Sequence, residues 1–264
     1  MKISVQRLKA FKSCRRFYEL RYVEDLVPTV SAEALQTGKK YHAYIDAFFK
    51  GEPIEETPTK EYAMFVAFLT YVYPKLRLLE TEKKFVYELP NGELVGILDG
   101  VEETCFVEHK TTSDTDLEHY EYMLDWDEQI LAYMLATGFR KVKYTVIRKP
   151  NIRQKKDESD DDFYKRMLEW YQEDTDSKIR LLTLTRTDEE VEEFKNQLIS
   201  MIDEMQRAKD NHMYYRNNCA CNQYGRVCEY ASICKHYNKD QPNVNFTRRE
   251  EVEFNEGDNT KWNF

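Results

Sequence analysis

Two short runs hold side chains that could do chemistry together: Gly96-Ile97-Leu98-Asp99-Gly100 and Phe106-Val107-Glu108-His109-Lys110-Thr111-Thr112. In an extended strand alternate side chains share a face, so Glu108 and Lys110 point the same way. Asp99 falls late in the preceding apolar run, and a tight turn between the two runs lays it alongside. Two carboxylates and one ammonium then converge at a sheet edge. Such a group can hold a hard divalent cation through oxygen and set a fixed positive charge next to it. The plain alternative is a surface ion pair between Glu108 and Lys110 with Asp99 as a turn residue. Taken alone the pattern does not separate the two, because charges at such spacings are common.

The second reactive set is sulfur. Four of the six cysteines, Cys219, Cys221, Cys228 and Cys234, crowd into one stretch; Cys14 stands near the start and Cys105 in a strand-like run, where it reads as core. No apolar signal segment follows Met1 and the one apolar-leaning stretch, Tyr62 to Tyr73, is too short to span a bilayer. The expected location is therefore the cytoplasm, whose thiols are reduced, so clustered cysteines read as metal ligands rather than disulfides. All four local cysteines could hold zinc, although Cys219-x-Cys221 is tighter than the usual spacer. Alternatively, three of them plus Cys14 supply the four thiolates of an iron–sulfur cluster.

The chain has 264 residues, 41% of them hydrophobic and 14% aromatic, which excludes a disordered chain and allows one large domain. Its 39 basic and 48 acidic residues give a net charge of −9. That balance disfavours a protein that coats nucleic acid indiscriminately, but permits one local basic groove. No phosphate-binding G-x-x-x-x-G-K-[ST] loop occurs, so an ATP-driven motor is not expected.

These residues need elements to position them. Ser4 caps a first helix carrying Val5, Leu8 and Phe11, and Pro28 ends that region. Ser31 caps a second helix through Tyr41, His42 and Ile45, stopped by Gly51; a third covers 60–73 before Pro74. The period then changes to that of strands at 85–89, 94–101 and 105–110, with Pro90-Asn91-Gly92 as a turn. One long helix is expected from Leu117 to Ala136, closed by Gly138. Strands follow at 141–148 and 179–185, with a helix around 163–170 between them. A last helix, capped by Thr187 or Asp188, reaches Asn211. The order is that of an α/β fold with a mixed central sheet of about five strands flanked by helices. It divides as 1–75 helical, 80–212 core, 213–238 cysteine-rich and 239–264 acidic tail, with 1–238 as a single domain.

Asp99 followed by Glu108-His109-Lys110 resembles the D…(D/E)-x-K signature of the PD-(D/E)XK nuclease superfamily, and its RecB-like branch in particular. That branch has an upstream helix histidine, matched by His42 in Gly38-Lys39-Lys40-Tyr41-His42. It has an acid before the hairpin, for which Glu80 or Glu82 is available, and a Gln-x-x-x-Tyr, matched by Gln129 and Tyr133. The resemblance implies a restriction-endonuclease-like core and a DNA exonuclease that uses Mn²⁺ or Mg²⁺. It makes Asp99, Glu108, His42 and the His109 carbonyl metal ligands, with the imidazole favouring Mn²⁺. Lys110 would act on the attacking water or the transition state, and Gln129 and Tyr133 would position Lys110 or a scissile phosphate. The iron–sulfur members place one cysteine early and three after the core. This implies a 4Fe–4S cluster on Cys14, Cys221, Cys228 and Cys234, with Cys219 as substitute for Cys221 and zinc as the alternative metal. The gap before Cys228 departs from the usual Cys-x-x-Cys and resembles phage-encoded members.

For DNA, the candidates are Lys39, Lys40, Thr111, Thr112, Arg148, Lys149 and Arg153; the run from Arg148 reads equally as a solvated loop, since acids follow it at once. DNA is the expected partner, with any helicase or recombinase a separate chain. The rival reading is a non-catalytic DNA-binding scaffold that keeps the fold.

Overall fold

The computed structural model describes residues 1–29, 33–223, 225–236 and 245–249. The expected cap at Ser31 and most of the acidic tail lie outside them. In chain order the first elements are β1 (Lys2–Ile3), α1 (Val5–Ser13), α2 (Arg15–Tyr18), β2 (Leu26–Pro28), α3 (Glu33–Lys50) and α4 (Lys60–Tyr71). The central ones are β3 (Glu80–Leu89), β4 (Gly92–Val101), β5 (Phe106–Thr112), α5 (Leu117–Met123), α6 (Glu128–Thr137) and β6 (Lys141–Arg148). The chain closes with α7 (Asp160–Glu173), β7 (Ile179–Thr185), α8 (Asp188–Asp210), β8 (Asn222–Gln223), β9 (Arg226–Val227) and β10 (Phe246–Arg248).

The sheet runs β1-β4-β5-β6-β7, with β3 also pairing β4. It is mixed: β5 lies parallel to β6, whereas β4–β5 and β6–β7 are antiparallel. This is the expected α/β fold with a mixed central sheet, and the restriction-endonuclease-like core that the resemblance implies. The chain forms two compact units, one of Met1–Ser31, Val86–Gly96 and Glu193–Phe264, the other of Ala32–Phe85 and Ile97–Glu192.

In the second unit the core forms where α3, α4 and α7 cover strands β5, β6 and β7. Tyr41, Ile45, Met64, Phe65, Phe68, Val107, Ile147 and Tyr171 are its buried members. Helix α4 starts at Thr59, whose hydroxyl accepts the Tyr62 N–H, and ends one turn before Pro74, which opens a short 3-10 turn. Burying a ring such as that of Phe68 contributes about 1.5–3 kcal/mol. Gly100 in β4 has a packing reason, since a Cβ there would meet Leu78 Cδ2 at 2.7 Å.

The long helix expected over 117–136 is two. A 3-10 turn at Leu124–Trp126 interrupts it, and Asp127 takes extended backbone and restarts it as the N-cap of α6, its side chain accepting the Gln129 N–H. Aspartate competes for backbone donors in this way, which apolar periodicity does not reveal. Gly138 closes α6 in the left-handed conformation, φ 79°.

In the first unit, β1 pairs parallel with β4 at Ile3↔Leu94. Leu20, Leu26, Tyr230, Ile233 and Phe246 make a small core. Part of the expected tail is ordered here: β10 pairs antiparallel with β2, and Phe246 stacks on Tyr230 at 5.2 Å. Among the described residues no helix is long and apolar enough to cross a membrane.

Candidate active site

The β4–β5 ladder is short. It pairs Val101 with Phe106 and Gly100 with Val107, and the same register would next face Asp99 with Glu108. There the carboxylate replaces the ladder: Asp99 Oδ2 accepts the His109 backbone N–H at 2.6 Å. The strand alternation of β5 then sorts its side chains. Val107 and His109 turn toward α3 and α4, with His109 edge-on to Phe68, ring centroids 5.2 Å apart. Glu108 and Lys110 turn toward α6.

On that face, Lys110 Nζ donates to Glu108 Oε1 and, at 3.2 Å, to Gln129 Oε1. Gln129 Nε2 donates to the same Glu108 Oε1 at 2.6 Å. Tyr133, one turn on, is buried and bonds Gln129. The Gln-x-x-x-Tyr pair therefore faces the lysine, as an i, i+4 spacing requires. Glu108 Oε2 is buried and has no hydrogen-bond partner. Such an atom is costly unless a cation meets it.

At the sheet edge His42, Glu82 and Asp99 bring one ligand atom each within 4.8 Å of one another. His42 Nδ1 lies 3.6 Å from Asp99 Oδ1. Of the two acids before the hairpin, Glu82 reaches the site; Glu80 pairs with Lys83 at 3.0 Å and is exposed. Glu82 has φ 48°, a left-handed backbone within β3, and strain of this kind collects at functional sites. A period-two strand pattern carries no sign of such a residue, so the sequence alone does not separate Glu80 from Glu82.

The electrostatics suit a divalent cation. Burial, then neighbouring Asp99 and Asp46, push the Glu82 carboxyl up to about 7. Burial also raises Asp99, and burial with Asp99 beside it raises Glu108. Burial lowers His42 to about 4, so its imidazole is neutral and free to ligate at neutral pH. For Lys110, burial opposes the charge, but Glu108 and Asp99 outweigh it and hold the ammonium well above its ordinary range. Clustered carboxylates, one neutral imidazole and an orphaned buried oxygen form a donor set for a hard divalent ion. His109 contributes no side-chain ligand here. Its Nδ1 is 2.6 Å from Thr145 Oγ1, and burial lowers its pKa to about 3.

The DNA candidates separate. Lys39 and Lys40 are exposed on α3, and Gly38 lies against Thr111, where a Cβ would meet Oγ1 at 3.5 Å. Thr112 caps the next turn by accepting the Asp114 N–H, and its carbonyl accepts the Lys149 N–H. Lys149 is half-buried, lowered by burial and by nearby Lys60. Arg153 is exposed. Arg148 is 8% exposed; it donates to the Ser177 carbonyl and lies over the Trp170 ring, which is a packing role.

In the other unit the Asn217 N–H donates to Cys14 Sγ at 3.3 Å, and Cys221 Sγ donates to the Asn217 carbonyl at 3.7 Å. Cys228 donates its N–H to the Cys221 carbonyl at 2.9 Å. Burial raises the Cys228 thiol, and Cys14 and Cys221 are among its neighbours. The Cys234 carbonyl accepts from Arg16 and Arg216. Cys219 is exposed and turns to Asn218. Cys105 is fully buried just before β5 and donates to Glu102. Tyr214 packs on Tyr18.

The family model of the PD-(D/E)XK nuclease superfamily matches residues 2–68 and 62–235, so the chain belongs to that superfamily. No curated protein matches it. Among solved structures, a protein from Eubacterium rectale provisionally designated an exonuclease is 12% identical, covers 92% of this chain and 90% of its own, and gives a TM-score of 0.49. A phage-related exonuclease from Haemophilus somnus 129PT is 14% identical over 66% of this chain and 82% of its own, TM-score 0.39. The alkaline exonuclease LHK-Exo of Laribacter hongkongensis is 11% identical over 80% and 94%, TM-score 0.34.

Proposed function

We propose that this nuclease is a Mn²⁺- or Mg²⁺-dependent DNA exonuclease, cutting phosphodiester bonds at ends or in single strands. The observation that carries the reading is the convergence of His42, Glu82 and Asp99 beside the Glu108–Lys110–Gln129 cluster. In this reading His42, Glu82, Asp99 and Glu108 hold the ion, with the His109 carbonyl as a further ligand. A bound divalent ion supplies an acidified water and neutralises charge growing on phosphorus. Lys110, kept charged by its two carboxylates, stabilises the transition state. Gln129 fixes the lysine and Glu108 in one geometry, and Tyr133 supports Gln129 from the same helix face. Lys39, Lys149 and Thr111 take the flanking phosphates, where each cation adds salt-dependent binding. The exonucleolytic mode agrees with what the structural relatives are named for, and the service to recombination or phage DNA processing follows the family resemblance.

A second metal centre belongs to the same reading: a 4Fe–4S cluster on Cys14, Cys221, Cys228 and Cys234. Supporting it, Asn217 links Cys14 to Cys221, and Cys228 feels both thiols. The exposed orientation of Cys219 favours Cys221 as the ligand. The cluster would tie the first helices to the C-terminal segment as a structural staple.

The test is cleavage of 5′- and 3′-labelled single- and double-stranded DNA with Mn²⁺. Cutting from ends that Asp99→Ala and Lys110→Ala abolish is the expected result. A wild-type protein that leaves all four substrates intact is instead a DNA-binding scaffold. Anaerobic purification should give a brown, iron-containing protein; a colourless preparation containing zinc would replace the cluster with a zinc staple.

A further inference from the structure

His109 stands between Glu108 and Lys110, yet its side chain turns away from them into the core and is 1% exposed. Its Nε2 is buried there and has no hydrogen-bond partner. An apolar ring would fill the same space against Phe68 without stranding a polar nitrogen. Packing alone therefore does not account for an imidazole at this position. What the imidazole adds is one bond, between Nδ1 and Thr145 Oγ1 at 2.6 Å.

Thr145 is 2% exposed, and its neighbours Tyr144, Val146 and Ile147 in β6 are buried with it. Strands β5 and β6 run parallel with His109 directly opposite Thr145, so the two side chains share a face of the sheet. The Thr145 hydroxyl also donates to the Glu108 carbonyl at 3.5 Å. One buried hydroxyl thus reaches two consecutive residues of the strand that carries the catalytic lysine.

That bond bears on what the His109 backbone holds. In an extended strand the N–H and C=O of one residue point to the same edge. The β4–β5 pairing stops at Gly100, so no ladder bond holds either group of His109. Instead the N–H binds Asp99 Oδ2 at 2.6 Å, and the carbonyl accepts from the His42 imidazole. Two of the proposed metal ligands therefore hang on the backbone of one residue. A ligating imidazole takes its orientation from the acceptor of its other N–H, so that backbone aims His42 as well as Asp99. All of these groups belong to the unit of 32–85 with 97–192.

We propose that Thr145 is a positioning residue of the metal site: its hydroxyl pins the His109 ring, and the pinned residue holds Asp99 and His42 in ligating geometry. Thr145 acts through His109 and not on the ion or the DNA. The inference rests on the nuclease reading.

The test is Mn²⁺ binding by the full chain without DNA, followed through the EPR signal of the free ion. Thr145→Val keeps the shape and removes the hydroxyl; it should weaken Mn²⁺ binding about tenfold, the lower end for such outer partners. Thr145→Ser returns the hydroxyl and should recover affinity to within about threefold of wild type. His109→Phe keeps a ring against Phe68 and should lose as much as Thr145→Val; it carries the same reading if Thr145→Val does not fold. The double variant should bind no more weakly than either single one, because both remove the same bond. In cleavage at fixed Mn²⁺, Thr145→Val should lower kcat and leave KM for DNA within about twofold. Wild-type Mn²⁺ affinity in Thr145→Val or His109→Phe overturns the proposal. So does a double variant whose loss is the product of the two, which marks separate roles. Failure of serine to restore binding overturns it as well, since shape and not the hydroxyl is then at work. Mn²⁺ binding is read without substrate, so this failure is distinct from failure of the nuclease reading, which is scored by wild-type cleavage alone.

Discussion

Glu82 and Glu80 stand two positions apart with the same side chain, and surroundings alone give them different work. Glu82 joins His42 and Asp99, while Glu80 sits in solvent beside Lys83. Glu82→Gln should therefore raise the Mn²⁺ concentration needed for half-maximal cleavage by roughly 10–100-fold. Glu80→Gln should shift it less than twofold; equal effects in a metal titration of the rate would remove Glu82 from the site. The raised carboxyls also predict how stability responds to pH. A carboxyl whose folded pKa lies above its unfolded value binds more protons when folded, so stability falls as pH rises between the two values. With Glu82 near 7 against an ordinary value of 4.5, its own contribution in EDTA should be lost as pH rises between those two values, while His42 and His109, lowered by burial to about 4 and about 3, act in the opposite sense below their ordinary 6.5. Glu82→Gln should flatten that slope, and added Mn²⁺ should restore stability most at the alkaline end, where proton competition is least. A wild-type advantage over Glu82→Gln that instead grows with pH through this range in metal-free melts would contradict the buried-carboxylate account.

At the scale of elements, one break in a helix sets the lysine. Asp127 stops the run from Leu117 and restarts it as α6, whose first turn holds Gln129 against Glu108 and Lys110. Asp127→Ala removes the cap and should cost about 1 kcal/mol in denaturant unfolding. It should also lower kcat more than it raises KM, because Gln129 loses its fixed approach. Asp127→Asn keeps an acceptor for the Gln129 N–H and should recover most of both. The divergence of β4 from β5 after Gly100 is the companion feature. It frees the His109 N–H to bond Asp99 Oδ2, so a ladder that continued would close the site.

On the scale of the whole molecule, the carboxylate cluster falls in the compact unit of 32–85 with 97–192, and Cys14, Cys221, Cys228 and Cys234 fall in the other. This separation predicts separable losses. Cys14→Ser and Cys228→Ser should lose iron and lower Tm by several degrees, while Cys219→Ser keeps the iron content of the wild type. Iron retained in Cys14→Ser would move the fourth ligand to Cys219. The net charge of −9 also acquires a location. Part of the acidic excess is the metal site, where a bound divalent ion reverses the local sign.

The sequence by itself determined the chemistry and its order along the chain: the carboxylates, the lysine two residues after Glu108, the Gln129–Tyr133 pair and the late cysteines. It also specified β6 and β7 to the residue, because alternating β-branched and apolar side chains encode a strand locally. Tertiary structure decided what depends on distant partners. It chose Glu82 through a left-handed backbone that no periodicity encodes. It buried Arg148 beside Trp170 instead of leaving it for DNA, and it ordered Phe246 by stacking it on Tyr230. Local patterns record which face a side chain occupies; only the packed fold decides what meets it there.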